Sequence, residues 1–269
     1  MLGAIVGDII GSPYESRLRR IKTKDFPLFS AASHFTDDTV TTLAIGAAII
    51  EAKENKTGYT QRFCDQMKYW CRKYPEVGFG RCFIEWFMGT SQAPYGSYGN
   101  GAAMRVSPVA WAGRTLAEVQ SLAELTAVVS HNHPEAIKGA VAVATAIYLA
   151  RKGQSKDEIR AYMQYYFYPL DKHLVEIRPD YHFSSRTKDS VPQAIECFLE
   201  SRDFEDAVRN AVSLGGDSDT QAAIAGSIAE AFYGGVPEPI WNEAAKVLTP
   251  DLLQLVHVFQ DQFMKDSSI

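Results

Sequence analysis

Ala136-Ile137-Lys138-Gly139-Ala140-Val141-Ala142-Val143-Ala144-Thr145-Ala146-Ile147-Tyr148-Leu149-Ala150 is the stretch that decides the fold. Apolar and small residues fall on all sides of a 3.6-residue period, and Pro134 just ahead suits the first turn of a helix. A helix of this kind belongs in the middle of a protein or in a membrane. Its most apolar part, Ala140–Ala150, is about half the ~20 residues that a bilayer crossing needs, so the helix is placed in a protein interior and no membrane span is expected. Working outward, Val40 opens an i, i+3, i+4 stripe through Leu43, Ala44, Ala47 and Ala48. Leu116–Val129, Val191–Leu199, Ala222–Phe232 and Leu252–Phe263 carry the same period, and no useful run of strand-like alternation occurs. Gly3, Ala4, Gly7 and Gly11, like Ala222, Ala223, Ala225, Gly226 and Ala229, form small-residue faces that let helix backbones approach closely. The expected fold is all-α: a compact single-domain helical bundle over residues 1–269, undivided by linkers or repeats. The longest unpatterned segment, Arg178–Lys188, carries Tyr181 and Phe183 and is expected to be an ordered loop.

The chain is acidic, with a formal net charge of −5 at pH 7. It lacks the basic footprint of a generic nucleic-acid binder. A phosphorylated ligand would have to be met by bound cations, backbone N–H groups and helix N-termini. The four cysteines (Cys64, Cys71, Cys82 and Cys197) form no C-x-x-C pair and are expected to be reduced core thiols. The apolar N-terminus has no basic start and is interrupted by Asp8, unlike a signal peptide, so a cytoplasmic monomer is expected.

Two acidic clusters each stand at the start of a helical pattern: Thr36-Asp37-Asp38-Thr39 before Val40, and Asp217-Ser218-Asp219-Thr220 before Ala222. Either alone reads as an N-cap with an acidic first turn that complements the helix dipole. Together they hold more carboxylate than capping requires, and crowded carboxylates repel unless protonated or bridged by cations. Oxygen donors without His or Cys select a hard ion such as Mg²⁺ or Mn²⁺. If the clusters face each other they can hold two ions.

Other stretches join them in order along the chain: Gly7-Asp8-Ile9-Ile10-Gly11-Ser12-Pro13-Tyr14-Glu15, then Gly96-Ser97-Tyr98-Gly99-Asn100-Gly101-Ala102-Ala103-Met104-Arg105, then Ser130-His131. With Thr36-Asp37-Asp38 and Gly216-Asp217-Ser218-Asp219-Thr220, this series resembles the ADP-ribosylglycohydrolase family. The resemblance implies an all-helical hydrolase that cleaves the bond between the anomeric carbon of ADP-ribose and an acceptor atom. An ADP-ribosylated protein would be the substrate and ADP-ribose the product, with nucleic acid entering only as an ADP-ribosylated substrate. It further implies two Mg²⁺ ions (Mn²⁺ as the alternative) held through Thr36, Asp37, Asp38, Asp217, Asp219 and Thr220. Glu15, on a flap, or Asp37 or Asp38 would move protons around an oxocarbenium-like transition state. Gly96, Ser97, Tyr98, Gly99, Asn100, Gly101 and His131 would contact the ligand, with the pyrophosphate against backbone N–H groups of the glycine loop. Asp8 is expected to brace its motif, Arg105 to be a buried ion-pair partner, and His133 to be structural. Ser190-Val191-Pro192 is read as a helix start. Two other readings remain: a hydrolase of free ADP-ribose derivatives, and a non-catalytic ADP-ribose binder.

Overall fold

The computed structural model describes residues 1–53 and 58–265, and its organisation starts from two helices that touch backbone to backbone. These are α1 (Leu2–Gly11) and α13 (Ser218–Phe232). A Cβ on Gly3 would lie 2.1 Å from the Gly226 carbonyl oxygen, one on Gly7 2.1 Å from that of Ala222, and one on Gly11 2.5 Å from that of Ser218. The order of these contacts makes the pair antiparallel. Only glycine permits such an approach, which explains the i, i+4 spacing of Gly3, Gly7 and Gly11. Every residue of α1 is buried, as is α13 from Ser218 to Glu230.

The other helices wrap this pair. α2 (Asp37–Ala52), α3 (Tyr59–Lys73) and α4 (Arg81–Met88) follow α1. The short α5 (Gly101–Met104) and α6 (Ser107–Ala112) lead to α7 (Leu116–Val128) and α8 (Pro134–Arg151). Then come α9 (Lys156–Tyr166), α10 (Leu174–Ile177), α11 (Thr187–Leu199) and α12 (Phe204–Val212), with α14 (Glu238–Ala245) and α15 (Pro250–Phe263) after α13. One hydrophobic core runs through the molecule. No strand occurs among the described residues, only an isolated bridge between Gly99 and Arg186. None of these helices is long and apolar enough to cross a membrane.

The all-α expectation holds, with two refinements. The centre is α1 and α13 rather than α8, which keeps a half-buried stripe through Lys138, Val141, Tyr148 and Leu149. Lys138 requires an outlet and pairs with Glu135 at 3.1 Å. The helix read from Ser190 starts at Thr187 and carries Pro192 inside it. Pro192 removes only one first-turn hydrogen bond, to a carbonyl at the exposed end of the helix. The 178–186 segment is an ordered connection, as expected: Tyr181 Oη donates to the Asp189 carbonyl (2.6 Å), and Lys22 Nζ donates to the carbonyls of Arg178 (2.8 Å) and Tyr181 (2.5 Å).

Candidate metal centre and active site

The cleft is assembled where α1 ends and α2 and α13 begin. Thr36 caps α2, its hydroxyl accepting from Asp38 N at 3.3 Å. Asp8 reaches across from α1 and accepts from Thr36 N (2.9 Å), Thr36 Oγ1 (2.7 Å), Thr39 N (3.0 Å) and Thr39 Oγ1. One fully buried carboxylate thus satisfies N–H groups that the helix start leaves open. Asp8 is the brace expected of it: Oδ2 accepts three hydrogen bonds, and Oδ1, which accepts one, keeps a lone pair. The hydroxyl hydrogen of Thr36 is committed to Asp8 as well.

Asp217 and Asp219 begin α13. Thr220 Oγ1 donates to Asp38 Oδ2 at 3.2 Å, so the two acidic clusters meet across 182 residues of chain. Carboxylate oxygens of Asp8, Asp38 and Asp219 lie within 4.8 Å of one another, and so do those of Glu15, Asp217 and Asp219. Asp219 belongs to both groups. Asp38 Oδ1 is buried with no hydrogen-bond partner, an orphan that a cation would satisfy. Burial, reinforced by neighbouring carboxylates, holds Asp38 and Asp219 well above the usual carboxylate range and pushes Asp37 up to about 8. These residues fit hard divalent cations: oxygen donors only, crowded, desolvated and partly unpaired. Asp37 stands outside both tight groups but lines the same cleft. Glu15 sits at the mouth, and burial on its inner side and the charge of Asp217 push its pKa up. A third group, His173, Glu196 and Glu200, is a different matter, because Arg160 already pairs with Glu196 at 2.6 Å.

The cleft has a volume of about 610 Å³ and brings together Glu15, both acidic clusters, the Gly96–Gly101 loop and His131. That volume lies within the range of small-molecule and cofactor sites. The loop is tied internally more than expected. Gly99 N donates to Ser97 Oγ (3.1 Å) and Asn100 N to the Ser185 carbonyl (2.9 Å), so neither N–H is open to a phosphate. Within the loop φ is positive only at Gly96 (+72°). Gly101 is needed for another reason: a Cβ there would lie 2.9 Å from Nε2 of His131. Tyr98 is half exposed at the rim. Asn100, assigned to ligand contact, donates through Nδ2 to Asp217 Oδ2 at 2.8 Å and to Ser190 Oγ at 3.2 Å. His133 caps α8 through Glu135 N (3.1 Å) and is structural as expected.

Two expectations are corrected. Arg105 is buried but forms no ion pair among the described residues; its NH2 donates to the Thr126 carbonyl (3.0 Å) and Ser130 Oγ (2.8 Å), and its guanidinium stands 5.7 Å from the centre of the Phe83 ring. Desolvation brings its pKa down to about 10. Cys82 is exposed on the cleft wall rather than in the core, at the edge of the α4 face that buries Phe83, Trp86 and Phe87; the other three cysteines are buried and free. The basic segment after Glu15 is only half free. Arg20 stacks over Phe183 (4.4 Å) and donates to the Glu15 carbonyl, Lys22 also reaches the Leu214 carbonyl (2.6 Å), and Lys24 pairs with Asp206. Arg17 and Arg19 remain exposed.

Sequence reasoning missed Gln221, whose amide donates to Tyr181 Oη at 2.9 Å, and the anchoring role of Lys22. Their partners lie 40 and 192 residues away, and no local pattern marks such pairs.

An all-helical chain that gathers carboxylates at two helix N-termini, beside a glycine loop in a cleft of ligand size, has the layout of a cation-assisted hydrolase. Residues 1–267 match the sequence profile of the ADP-ribosylglycohydrolase family, and the chain belongs to that family. It is 28% identical to ADP-ribosylhydrolase ARH3 of Bos taurus, over 97% of this chain and 92% of that protein. It is also 28% identical to the ADP-ribosyl-[dinitrogen reductase] glycohydrolase of Rhodospirillum rubrum, over 87% of this chain and 84% of that one. A solved structure described as an ADP-ribosylglycohydrolase-related protein complex shares the fold, with a TM-score of 0.70 at 23% identity, covering 97% of this chain and 96% of that one.

Proposed function

We propose that this protein is a metal-dependent hydrolase of the glycosidic bond between ADP-ribose and a protein side chain, releasing ADP-ribose and the unmodified acceptor. The observation that carries this reading is the meeting of Asp38, Asp217, Asp219 and Glu15 in two carboxylate groups that share Asp219, inside one cleft with the glycine loop. Two Mg²⁺ ions, with Mn²⁺ as the alternative, would be held by Asp38, Asp217, Asp219 and Glu15, with Asp37, Thr36 and Thr220 completing the set. Bound there, the ions would supply Lewis acidity, a place for the ribose hydroxyls and an oriented water. The chain's own groups do the rest. Glu15 moves the proton at the acceptor atom or the attacking water, and Asp37, protonated near neutral pH in the metal-free state, is the alternative. The Gly96–Gly101 loop and His131 seat the rest of the ligand.

The acceptor is tested with arginine-, serine- and DNA-linked ADP-ribose conjugates, each assayed with and without Mg²⁺. Release of ADP-ribose from a protein-type conjugate only when Mg²⁺ is present is the expected result. Cleavage confined to free ADP-ribose derivatives, or binding without turnover, would replace the proposal by one of the two other readings.

A further inference from the structure

His131 is buried, with 5% of its surface exposed, and lines the cleft. Its Nδ1 lies 2.8 Å from Ser130 Oγ, and that same oxygen accepts from Arg105 NH2 at 2.8 Å. A guanidinium has donors and no acceptor, so Arg105 occupies a lone pair of Ser130 and cannot take its hydrogen. The Ser130 hydrogen then has one neighbour to donate to: Nδ1 of His131. If Nδ1 carried a proton, Ser130, which is fully buried, would have a hydrogen without an acceptor. We infer that Arg105, acting through Ser130, fixes His131 as the neutral Nε2–H tautomer, so that His131 presents a single N–H donor to an acceptor atom of the ligand at the Gly99–Gly101 wall of the cleft.

The surroundings agree. Nε2 faces the loop, 2.9 Å from where a Cβ of Gly101 would be and 3.9 Å from that of Gly99. It has no hydrogen-bond partner among the described residues. The ring is held by Phe83 (6.2 Å between centroids) and Tyr95 (5.6 Å, edge-on). Arg105 and Tyr95 are the titratable groups beside it, no carboxylate pairs with it, and burial and the Arg105 charge both disfavour its protonated form. Arg105 is thus a positioning residue, and its buried charge, in contact with no carboxylate among the described residues, sets the direction of a hydrogen-bond chain. The tautomer stands on geometry alone, whereas the identity of the ligand rests on the proposed function.

Long-range proton–nitrogen NMR spectra of the protein without metal or ligand decide the tautomer, with the His131 signals assigned by their loss in His131→Gln. The expected result is an unprotonated Nδ1 and a protonated Nε2, unchanged between about pH 5 and 8, where an ordinary histidine would titrate. A protonated Nδ1, or an imidazolium appearing near pH 6, would overturn the inference without recourse to any variant. Ser130→Ala should then abolish the single-tautomer signature and lower ADP-ribose affinity roughly three- to tenfold, the range for one lost hydrogen bond, with Mg²⁺ affinity unchanged. An unaltered signature would refute the relay, and unaltered ADP-ribose affinity would refute the ligand contact. Absence of hydrolysis together with the expected spectra would defeat the proposed function and leave the tautomer intact.

Discussion

Glu15 is a candidate for two roles that are usually read separately. Its carboxylate belongs to the Asp217–Asp219 group, yet it sits at the mouth of the cleft on an exposed segment. Glu15→Gln should slow hydrolysis by roughly 10²–10⁴-fold, the span for a positioned acid or base. Because the side chain also belongs to a group of carboxylates able to hold a cation, turnover measured against Mg²⁺ concentration separates the roles: recovery at high Mg²⁺ would make Glu15 chiefly a ligand, whereas a deficit that persists at saturation identifies proton transfer. Gly101 poses a second single-residue question. Gly101→Val would drive a methyl-bearing carbon into the His131 ring and should weaken ADP-ribose binding by at least about tenfold, or ~1.4 kcal/mol. Arg17→Ala or Arg19→Ala, at exposed sites, should have a smaller effect, and calorimetric titration in the presence of Mg²⁺ compares the three. Both acidic clusters were legible because each is contiguous, and so was Asp8. Arg105 was misread because a buried arginine suggests a carboxylate, while its actual partners, Thr126 and Ser130, are neutral and 21 and 25 residues away.

At the scale of elements, the periodicity of α2, α7, α8, α11, α13 and α15 was readable from the sequence because each buries one face or more. Their mutual arrangement was less so. Gly3, Gly7 and Gly11 announced a close contact but could not name α13 as the partner, since complementary small residues also occur on α8. Gly7→Ala would place Cβ 2.1 Å from the Ala222 oxygen and 2.6 Å from the Ala223 nitrogen, atoms of a helix backbone that cannot rotate aside. It should destabilise the protein by at least the ~1–3 kcal/mol of ordinary overpacking, visible as a lowered midpoint in chemical denaturation. The connection after Glu15 depends on Lys22, whose ammonium gathers carbonyls from Arg178, Tyr181 and Leu214 just ahead of Asp217. Lys22→Met retains the aliphatic stem and removes all three bonds. It should weaken Mg²⁺ binding several-fold, roughly as expected for a lost supporting contact around a metal site. Metal titration of the folded variant checks it.

Over the whole molecule, the crowded carboxylates make folding and cation binding oppose or assist each other according to pH. In the unfolded chain Asp37 ionises near its ordinary value of about 4; in the folded, metal-free protein it holds its proton up to about 8. Between those limits the native state binds the extra proton, so the stability of the metal-free protein falls as pH rises through this window, with the Asp37 share of the fall complete above about 8. Asp38 and Asp219, raised in the same direction, add to the trend. Thermal melting should therefore show Tm declining from acid to mildly alkaline pH without metal. Mg²⁺ should raise Tm most at the alkaline end, where it displaces the fewest protons. A Tm that Mg²⁺ leaves unchanged at every pH would remove the cations from the site.

The seam between α1 and α13 gives the cleft a fixed gauge. Side chains across an ordinary helix interface can change rotamer and let the helices slide, but touching backbones have no such play. Asp8 near one end of α1 and Asp219 at the start of α13 are therefore held at a spacing set by main-chain contact rather than by side-chain adjustment. Stiffness at that point leaves any adjustment to ligands of different size to the exposed lining of the cleft, such as Glu15, Tyr98 and Phe183. The floor of the cleft works as a ruler, and only its rim can yield.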